Sequence, residues 1–260
     1  MTANPHAPRW AFYKRVVDES IADRDSSILV VCAGAGDQRL LRDLGFTNVT
    51  ISNLGAATDD FSPYTYARED AENLSFEADA FDYTIVHAGL HHCQSPHRAL
   101  LEMYRVCRRG ALVVEARDSL TMRLATGLGL ASQYEIEAVA RGSSGLRDTG
   151  YPNYVYRWTE REVLKAIRSY APHLAHRVRF FYGLCLPDPR SGSIRRRAVL
   201  ELLAPLARIF AGLFPRQGNL FAFFVAKPRT EPTNLQPWMS TDAGDIVLDE
   251  LHRKRYLPNG

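Results

Sequence analysis

Residues 28–31, Ile-Leu-Val-Val, are an unbroken apolar run that leads into a turn bearing Gly34 and Gly36. A run with no polar member predicts a strand covered on both faces, the condition of a parallel sheet flanked by helices. Glycines at alternate positions let the backbone approach a ligand where a Cβ would collide. Residues 38–44 then place Leu40, Leu41 and Leu44 at helical spacing and stop at Gly45. Strand, turn and helix therefore follow in the order that a nucleotide-type site requires.

The same rhythm recurs downstream. Residues 48–52 are a second β-branched run, followed by a polar stretch through Asp59 and Asp60 that should loop over the sheet edge. Residues 80–87 contain another buried strand. Ser95 predicts a helix cap and Pro96 suits its first turn; Leu100, Met103, Tyr104 and Cys107 share one face. Gly110 stands where a left-handed helix stop belongs, and a strand over 111–115 follows. Strand-helix-strand repetition with short links requires right-handed crossovers and a mostly parallel sheet, so ligands should gather at the carboxyl ends of its strands.

A chain of 260 residues with 46% hydrophobic content can bury one large core. Cys32, Cys93, Cys107 and Cys185 show no CxxC spacing, and no charged-then-apolar leader precedes the helix expected over 10–17, which together predict a reducing, cytoplasmic setting. The formal charge of +3 is spread along the chain, which argues against a nucleic-acid partner.

Four segments carry a resemblance in ordered spacing: Asp70-Ala71-Glu72-Asn73-Leu74, the strand over 81–86, Leu90-His91-His92, and the helix-strand unit from Ser95 to Glu115. Over roughly 27–118 the chain resembles class I S-adenosylmethionine-dependent methyltransferases. The resemblance implies an α/β, Rossmann-like fold: a seven-stranded, mostly parallel sheet with helices on both faces and an inserted lid. It implies a domain over 1–227, with core 27–118 and substrate lid about 119–158, and a C-terminal linker and tail over 228–260. The cofactor implied is S-adenosyl-L-methionine. Cys32, Ala33, Gly34 and Gly36 would hold its methionine part, Asp70 would accept from the adenine amino group, and the Ala71 N–H would meet a ring nitrogen. The family usually has an acidic residue where this chain has Val30 and a glycine where it has Cys32. It also clamps the ribose with an acid, and here Thr50 or Asn53 is offered instead. A neutral amide makes the weaker bond, so cofactor affinity should be modest.

A sulfonium methyl is already activated, so the protein has to align a nucleophile and, for a hydroxyl or amine, remove a proton. His87, ending a strand at the ligand edge, is the candidate catalytic base; the other reading is that it hydrogen-bonds the cofactor's amino-acid end. His91, His92, Cys93 and His97 are ligand types for zinc. Leu-His-His is also ordinary family sequence, no second Cys/His cluster completes a site, and His87-Ala88-Gly89 supplies no carboxylate. Metal-free transfer is therefore expected.

Between 119 and 158 the rhythm breaks. A helix from Leu120 to Ala131, a polar break at 141–145 and the aromatic run through Tyr151, Tyr154 and Trp158 read as the lid. Tyr151, Tyr154 and Arg157 are the candidate substrate-binding residues for a small-molecule or glycan acceptor, with Arg141 and Arg147 available for a carboxylate or phosphate; the competing reading has the aromatics packing the lid onto the core. Thr159 and Glu162 form a capping-box signal for a helix reaching Tyr170. Residues 177–183 and 219–226 read as a closing antiparallel pair. Between them, 195–214 carries an apolar stripe behind Arg195-Arg196-Arg197, with a bend expected at Pro205, suited to a membrane surface, to core packing or to a homodimer. Residues 227–234 read as a linker and 245–252 as a short docking helix.

The expected activity is methyl transfer, most simply to oxygen, with nitrogen or carbon acceptors of the same fold, or a non-catalytic binding subunit, as the alternatives. The missing third glycine of GxGxxG argues against a dinucleotide dehydrogenase.

Overall fold

The computed structural model describes the backbone of residues 7–57, 59–143, 145–186 and 194–257, and the side chains of the same residues apart from 194–200. Seven strands form one sheet: β1 (Ile28–Val31), β2 (Val49–Asn53), β3 (Thr65–Arg68), β4 (Phe81–His87), β5 (Cys107–Ala116), β6 (Arg177–Gly183) and β7 (Leu220–Ala226). Their order is β3-β2-β1-β4-β5-β7-β6, and β7 alone runs antiparallel to its neighbours. The expected α/β sheet, mostly parallel with an antiparallel closure, is the one formed.

Strand parity explains the two buried faces. Ile28, Val30, Ile85, Leu112 and Val114 point towards α1 (Ala7–Ser20) and α2 (Ala35–Asp43), where Phe12, Tyr13, Val16, Leu40 and Leu41 meet them. Leu29, Val31, Val86, Ala111 and Val113 point the other way, onto α3 (Pro96–Val106) and, after the lid helices α4 (Leu120–Gly127) and α5 (Ile136–Ala140), α6 (Glu160–Tyr170). Alternate residues of one apolar run thus serve opposite layers, which is why no polar residue interrupts it.

Local signals act largely as read. Ser95 accepts the Arg98 N–H at 3.4 Å with Pro96 at the first position of α3. Thr159 and Glu162 make the reciprocal capping box of α6. Gly110 does not stop a helix. α3 ends at Cys107 in extended geometry, and Gly110 lies inside β5, opposite Tyr83 and Ala226. Its lack of a side chain serves packing: a Cβ there would sit 2.5 Å from Phe224 Cζ and 2.9 Å from the Val225 carbonyl oxygen. Gly110→Ala is expected to lower the unfolding free energy by about 1–3 kcal/mol in urea titration, because the clash is with backbone as well as ring.

The C-terminal residues also differ from expectation. Residues 245–252 are not one helix: β8 (Met239–Asp242) and β9 (Asp245–Leu248) form a hairpin after α7 (Ile194–Leu213), and α8 (Glu250–Tyr256) starts behind the Asp249 cap. Ala243 and Gly244 both have positive φ, 48° and 94°, as a two-residue hairpin turn requires. Leu235 is buried, and Met239 and Ile246 pack on the α3–α6 layer.

In α7 the side chains of Arg195, Arg196 and Arg197 lie outside the described residues. Beyond them Leu202, Leu206, Ile209 and Leu213 are each more than 60% exposed, so the stripe does not join the core. Pro205 lies within this helix. Among the described residues no helix is long and apolar enough to cross a membrane.

Candidate functional site

The turn after β1 is built by conformational compromise. Cys32 adopts φ 52°, the left-handed region that favours glycine, and Gly89 yields the space: a Cβ on Gly89 would enter Cys32 Cβ. Gly34 has nothing within 4 Å of a virtual Cβ, so its backbone is open to a ligand. Gly36 differs, because a side chain there would collide with the Trp10 ring laid over it from α1. Asp37, in the first turn of α2, reaches back and accepts the Gly34 N–H at 3.0 Å. The buried Ala33 donates its N–H to the Ser52 carbonyl at 2.9 Å.

Asn53 ends β2, whereas Thr50 lies inside the strand, paired with Leu29 and Thr65. Asn53 Nδ2 donates to the Ala33 carbonyl at 3.1 Å and its Oδ1 accepts the Leu54 N–H at 2.8 Å. The amide ties β2 to the glycine turn and keeps a spare lone pair on Oδ1. Asp70 Oδ1 accepts the Glu72 N–H at 3.0 Å, and Oδ2 accepts from Arg147 Nη2 at 2.9 Å. Arg147 also donates to Glu72 at 2.7 Å, while Glu72 accepts the N–H groups of Gln94 and Ser95. Cys32, Asn53, Asp70 and Ala71 line one cavity of about 230 Å³ with Arg147 at its lid side. These residues come from three strand ends and the lid, and Ala33, Gly34, Gly36 and His87 are not among the cavity's lining.

His87 takes the parity of Ile85 and so faces α1. Its ring stacks on Tyr13 at 4.3 Å and meets Trp10 at 4.8 Å, with 7% of the side chain exposed. Burial pushes its pKa down to about 4, so the imidazole is neutral at physiological pH. Burial pushes Asp37, 4.0 Å from His87 Nδ1, up to about 6. Asp37 Oδ1 and His87 Nε2 are both buried without an internal hydrogen-bond partner.

A raised carboxyl pKa means that the folded chain holds more protons than the unfolded chain between about pH 4 and 6. The stability this group contributes is therefore lost as pH rises through 6. Asp37→Asn keeps an acceptor for Gly34 and carries no charge. Its stability relative to wild type should improve by on the order of 2 kcal/mol between pH 4 and 7.5 in denaturant titrations; a pH-independent difference would contradict the buried carboxylate. His87 acts on the other side: its depressed pKa costs stability as pH falls from about 6.5 towards 4.

The proposed substrate residues lie elsewhere. Tyr151 is exposed, Tyr154 meets the Tyr134 ring edge-on at 5.4 Å, and Arg157 donates to the Ser132 carbonyl at 2.7 Å, fastening the lid to itself. None of the three lines the 230 Å³ cavity. A separate cavity of about 410 Å³ opens between α1, β6 and α7, with Pro8, Tyr182, Leu186 and Arg208 among its lining.

The histidine cluster divides. Cys93 Sγ donates to the Gly89 carbonyl at 3.9 Å, and His97 packs on Trp158 and Tyr156. His91 instead lies between two carboxylates: Nδ1 is 2.8 Å from Glu115 Oε2 and Nε2 is 3.6 Å from Glu135 Oε1. Burial by itself would lower its pKa, but Glu115 and Glu135 outweigh it and raise the value to about 10. Sequence reading passed over Asp37, Glu115 and Glu135 as functional residues, and took Trp10 only as part of the helix over 10–17 expected to cover the cofactor site. The signals available were an acid three residues after Gly34 and a lone acid ending the apolar run of β5.

Residues 31–114 match the sequence family described as a methyltransferase domain. Compared by sequence with curated proteins, the chain matches none. Among solved structures it resembles the chain complexed with the Trm112 methyltransferase activator from Haloferax volcanii, at TM-score 0.54 and 15% identity, covering 87% of this chain and 92% of that one. The YcgJ protein of a Bacillus aligns at TM-score 0.52 and 15% identity, covering 83% and 97%. The plantazolicin methyltransferase BpumL, solved with a desmethyl substrate analogue and SAH, aligns at 0.51 and 14%, covering 88% and 86%. At such identity the likeness establishes the fold.

Proposed function

We propose that this chain, whose residues 31–114 match a methyltransferase domain, is a class I enzyme that uses S-adenosylmethionine to methylate an oxygen of a small-molecule or glycan acceptor. The observation that carries this reading is the convergence of Cys32, Asn53, Asp70 and Ala71 on one cavity, with the bare Gly34 backbone heading α2 beside it. The cofactor's needs fit what is present. Asp37 Oδ1 is a buried polar atom lacking a partner beside the turn, so a polar amino-acid end would relieve a cost of about 1–3 kcal/mol there. Asp70 Oδ2 has a second lone pair beside the one that Arg147 uses, and can take an adenine amino group as well.

S-adenosylmethionine supplies a methyl group already activated by its sulfonium. The chain's contribution is then placement: α1 lays Trp10 over the turn and excludes water, and the helix N-terminus and Asp37 orient the amino-acid end. His87, neutral and desolvated, would hold an acceptor hydroxyl through Nε2 and take its proton as charge develops on the oxygen. Its low basicity in the buried state suits a proton that moves late, with the methyl. The larger cavity, with Arg208 among its lining, leaves room for an acceptor with an apolar body.

The test is transfer of an isotopically labelled methyl group to small-molecule and glycan fractions, with release of S-adenosylhomocysteine measured alongside. Labelled product that is stable to nitrogen-specific cleavage supports the reading, and cofactor binding without release would make the chain a binding subunit. His87→Ala is expected to cut turnover by about 10²-fold or more and to change cofactor affinity by less than about threefold. Equal loss in both would make His87 a cofactor ligand.

A further inference from the structure

The short helical turn after β4, Leu90–His92, brings His91 and His92 side by side, with ring centroids 4.5 Å apart. Glu135, just before α5 in the lid, comes down onto both: Oε1 lies 3.6 Å from His91 Nε2, and Oε2 lies 3.6 Å from His92 Nε2. The three donor atoms all fall within 4.8 Å of one another. A zinc ion with bonds of about 2.0–2.2 Å to nitrogen and oxygen holds its tetrahedral donors about 3.4 Å apart, so little movement separates this arrangement from a coordinated one.

The outer partners complete the pattern. His91 Nδ1 is held by Glu115 at 2.8 Å, and that carboxylate also accepts the Leu90 N–H at 2.7 Å. His92 Nδ1 faces the Gly145 carbonyl at 3.3 Å. Each imidazole thus has an acceptor behind Nδ1, which fixes the ring and aims Nε2 towards Glu135. A simple ion pair needs one histidine and no such backing; here two rings are aimed at one carboxylate and each is fixed from behind. Glu115 and Glu135 bring two acidic groups to the cluster, which favours a dication over an added anion.

We propose that His91, His92 and Glu135 bind one divalent transition-metal ion of the zinc class, and that this ion clamps the lid onto the core. Two imidazoles and one carboxylate suit zinc and its neighbours and suit magnesium or calcium poorly, because those ions take oxygen ligands. Loading exchanges the Nε2 proton of His91 for the metal and releases that proton to solvent, with no change of oxidation state. Three protein ligands leave one position for water. The site joins the parts that border the cofactor cavity: His92 and Gly145 both line it, and Arg147 follows in the same lid segment. This function of the lid goes beyond methyl transfer and does not depend on which acceptor is used. The expectation of metal-free transfer rested on Leu-His-His being ordinary family sequence, on the lack of a second Cys/His cluster and on the lack of a carboxylate at His87-Ala88-Gly89; the lid brings a carboxylate, Glu135, to the histidines.

The experiment is zinc titration of chelator-stripped full-length protein against a competing zinc dye, with trypsin cleavage after the exposed Arg141 followed in parallel. One equivalent should bind with a dissociation constant below about 1 μM. His92→Ala and Glu135→Gln, both at partly exposed positions, should each weaken it at least about 100-fold, whereas Cys93→Ser should leave it unchanged. Bound zinc should slow cleavage at Arg141 at least about fivefold in wild type and in neither ligand variant. Far-UV circular dichroism checks that the variants are folded. Less than about 0.2 equivalent bound, or unchanged affinity in both ligand variants, would overturn the site; tight binding without protection of Arg141 would overturn the clamp.

Discussion

Trp158→Ala is expected to lower the unfolding free energy by about 4 kcal/mol, measured by urea denaturation of the full chain. Trp158 has no exposed surface and packs against His97, Tyr156 and Phe223, at ring separations of 4.8, 5.2 and 5.6 Å. Its backbone N–H donates to the Ala116 carbonyl at 2.9 Å, so it is also the residue by which the chain returns from the lid to the end of β5. Truncation to alanine opens a cavity in the α3–α6 layer that the sheet cannot close. Trp158→Phe keeps most of the ring volume and should lose less than half as much. Tyr154→Ala, at a half-exposed lid position, should change stability by less than about 0.5 kcal/mol. Equal losses at 154 and 158 would mean that the aromatic run packs as a unit, contrary to the burial seen.

Asp70→Ala should raise the dissociation constant for S-adenosylhomocysteine about tenfold to a hundredfold in calorimetry. That is the range for losing a hydrogen bond to a charged acceptor. Arg147 complicates the outcome in an informative way. It occupies one lone pair of Asp70 and also holds Glu72, so Asp70→Ala loosens the lid as well as the adenine edge. Arg147→Ala frees the same carboxylate without removing it. If Asp70 contacts the cofactor, Arg147→Ala leaves affinity unchanged or better while Asp70→Ala weakens it. If Asp70 serves only to anchor Arg147, the two variants weaken binding alike. Asp70→Asn, which retains an acceptor oxygen, should fall between wild type and alanine.

Much of the core was legible because its signals are local and periodic. The apolar run of β1, the cap at Ser95 and the capping box at Thr159 depend on neighbours a few residues away, and each acts as its residue type dictates. Gly110 misled for the same reason: a glycine after a helix reads as a stop, but here its lack of a Cβ answers to Phe224, more than a hundred residues away. The 245–252 segment misled because Asp245, Ile246, Val247 and Leu248 suit helix or strand, and the turn at Ala243-Gly244 selects the hairpin. The site divides likewise. Asn53 and the glycine turn stand at strand ends that periodicity predicts and Asp70 entered through the resemblance, whereas the aromatic roof on His87 comes from α1 and the partners of Arg147 and His91 come from across the lid.

What the chain determined by its order of residues alone is the sheet, its helical layers and the edge where a nucleoside-type cofactor would bind, because alternation along a strand and spacing along a helix are short-range properties. Tertiary structure alone decided the electrostatic state of the site. Whether His87 is neutral, Asp37 protonated near pH 6 and His91 charged depends on how much water and which carboxylates surround each ring or acid. Those neighbours arrive from α1, β5 and the lid, and desolvation and Coulomb energy respond to distance in space, to which separation along the chain is no guide.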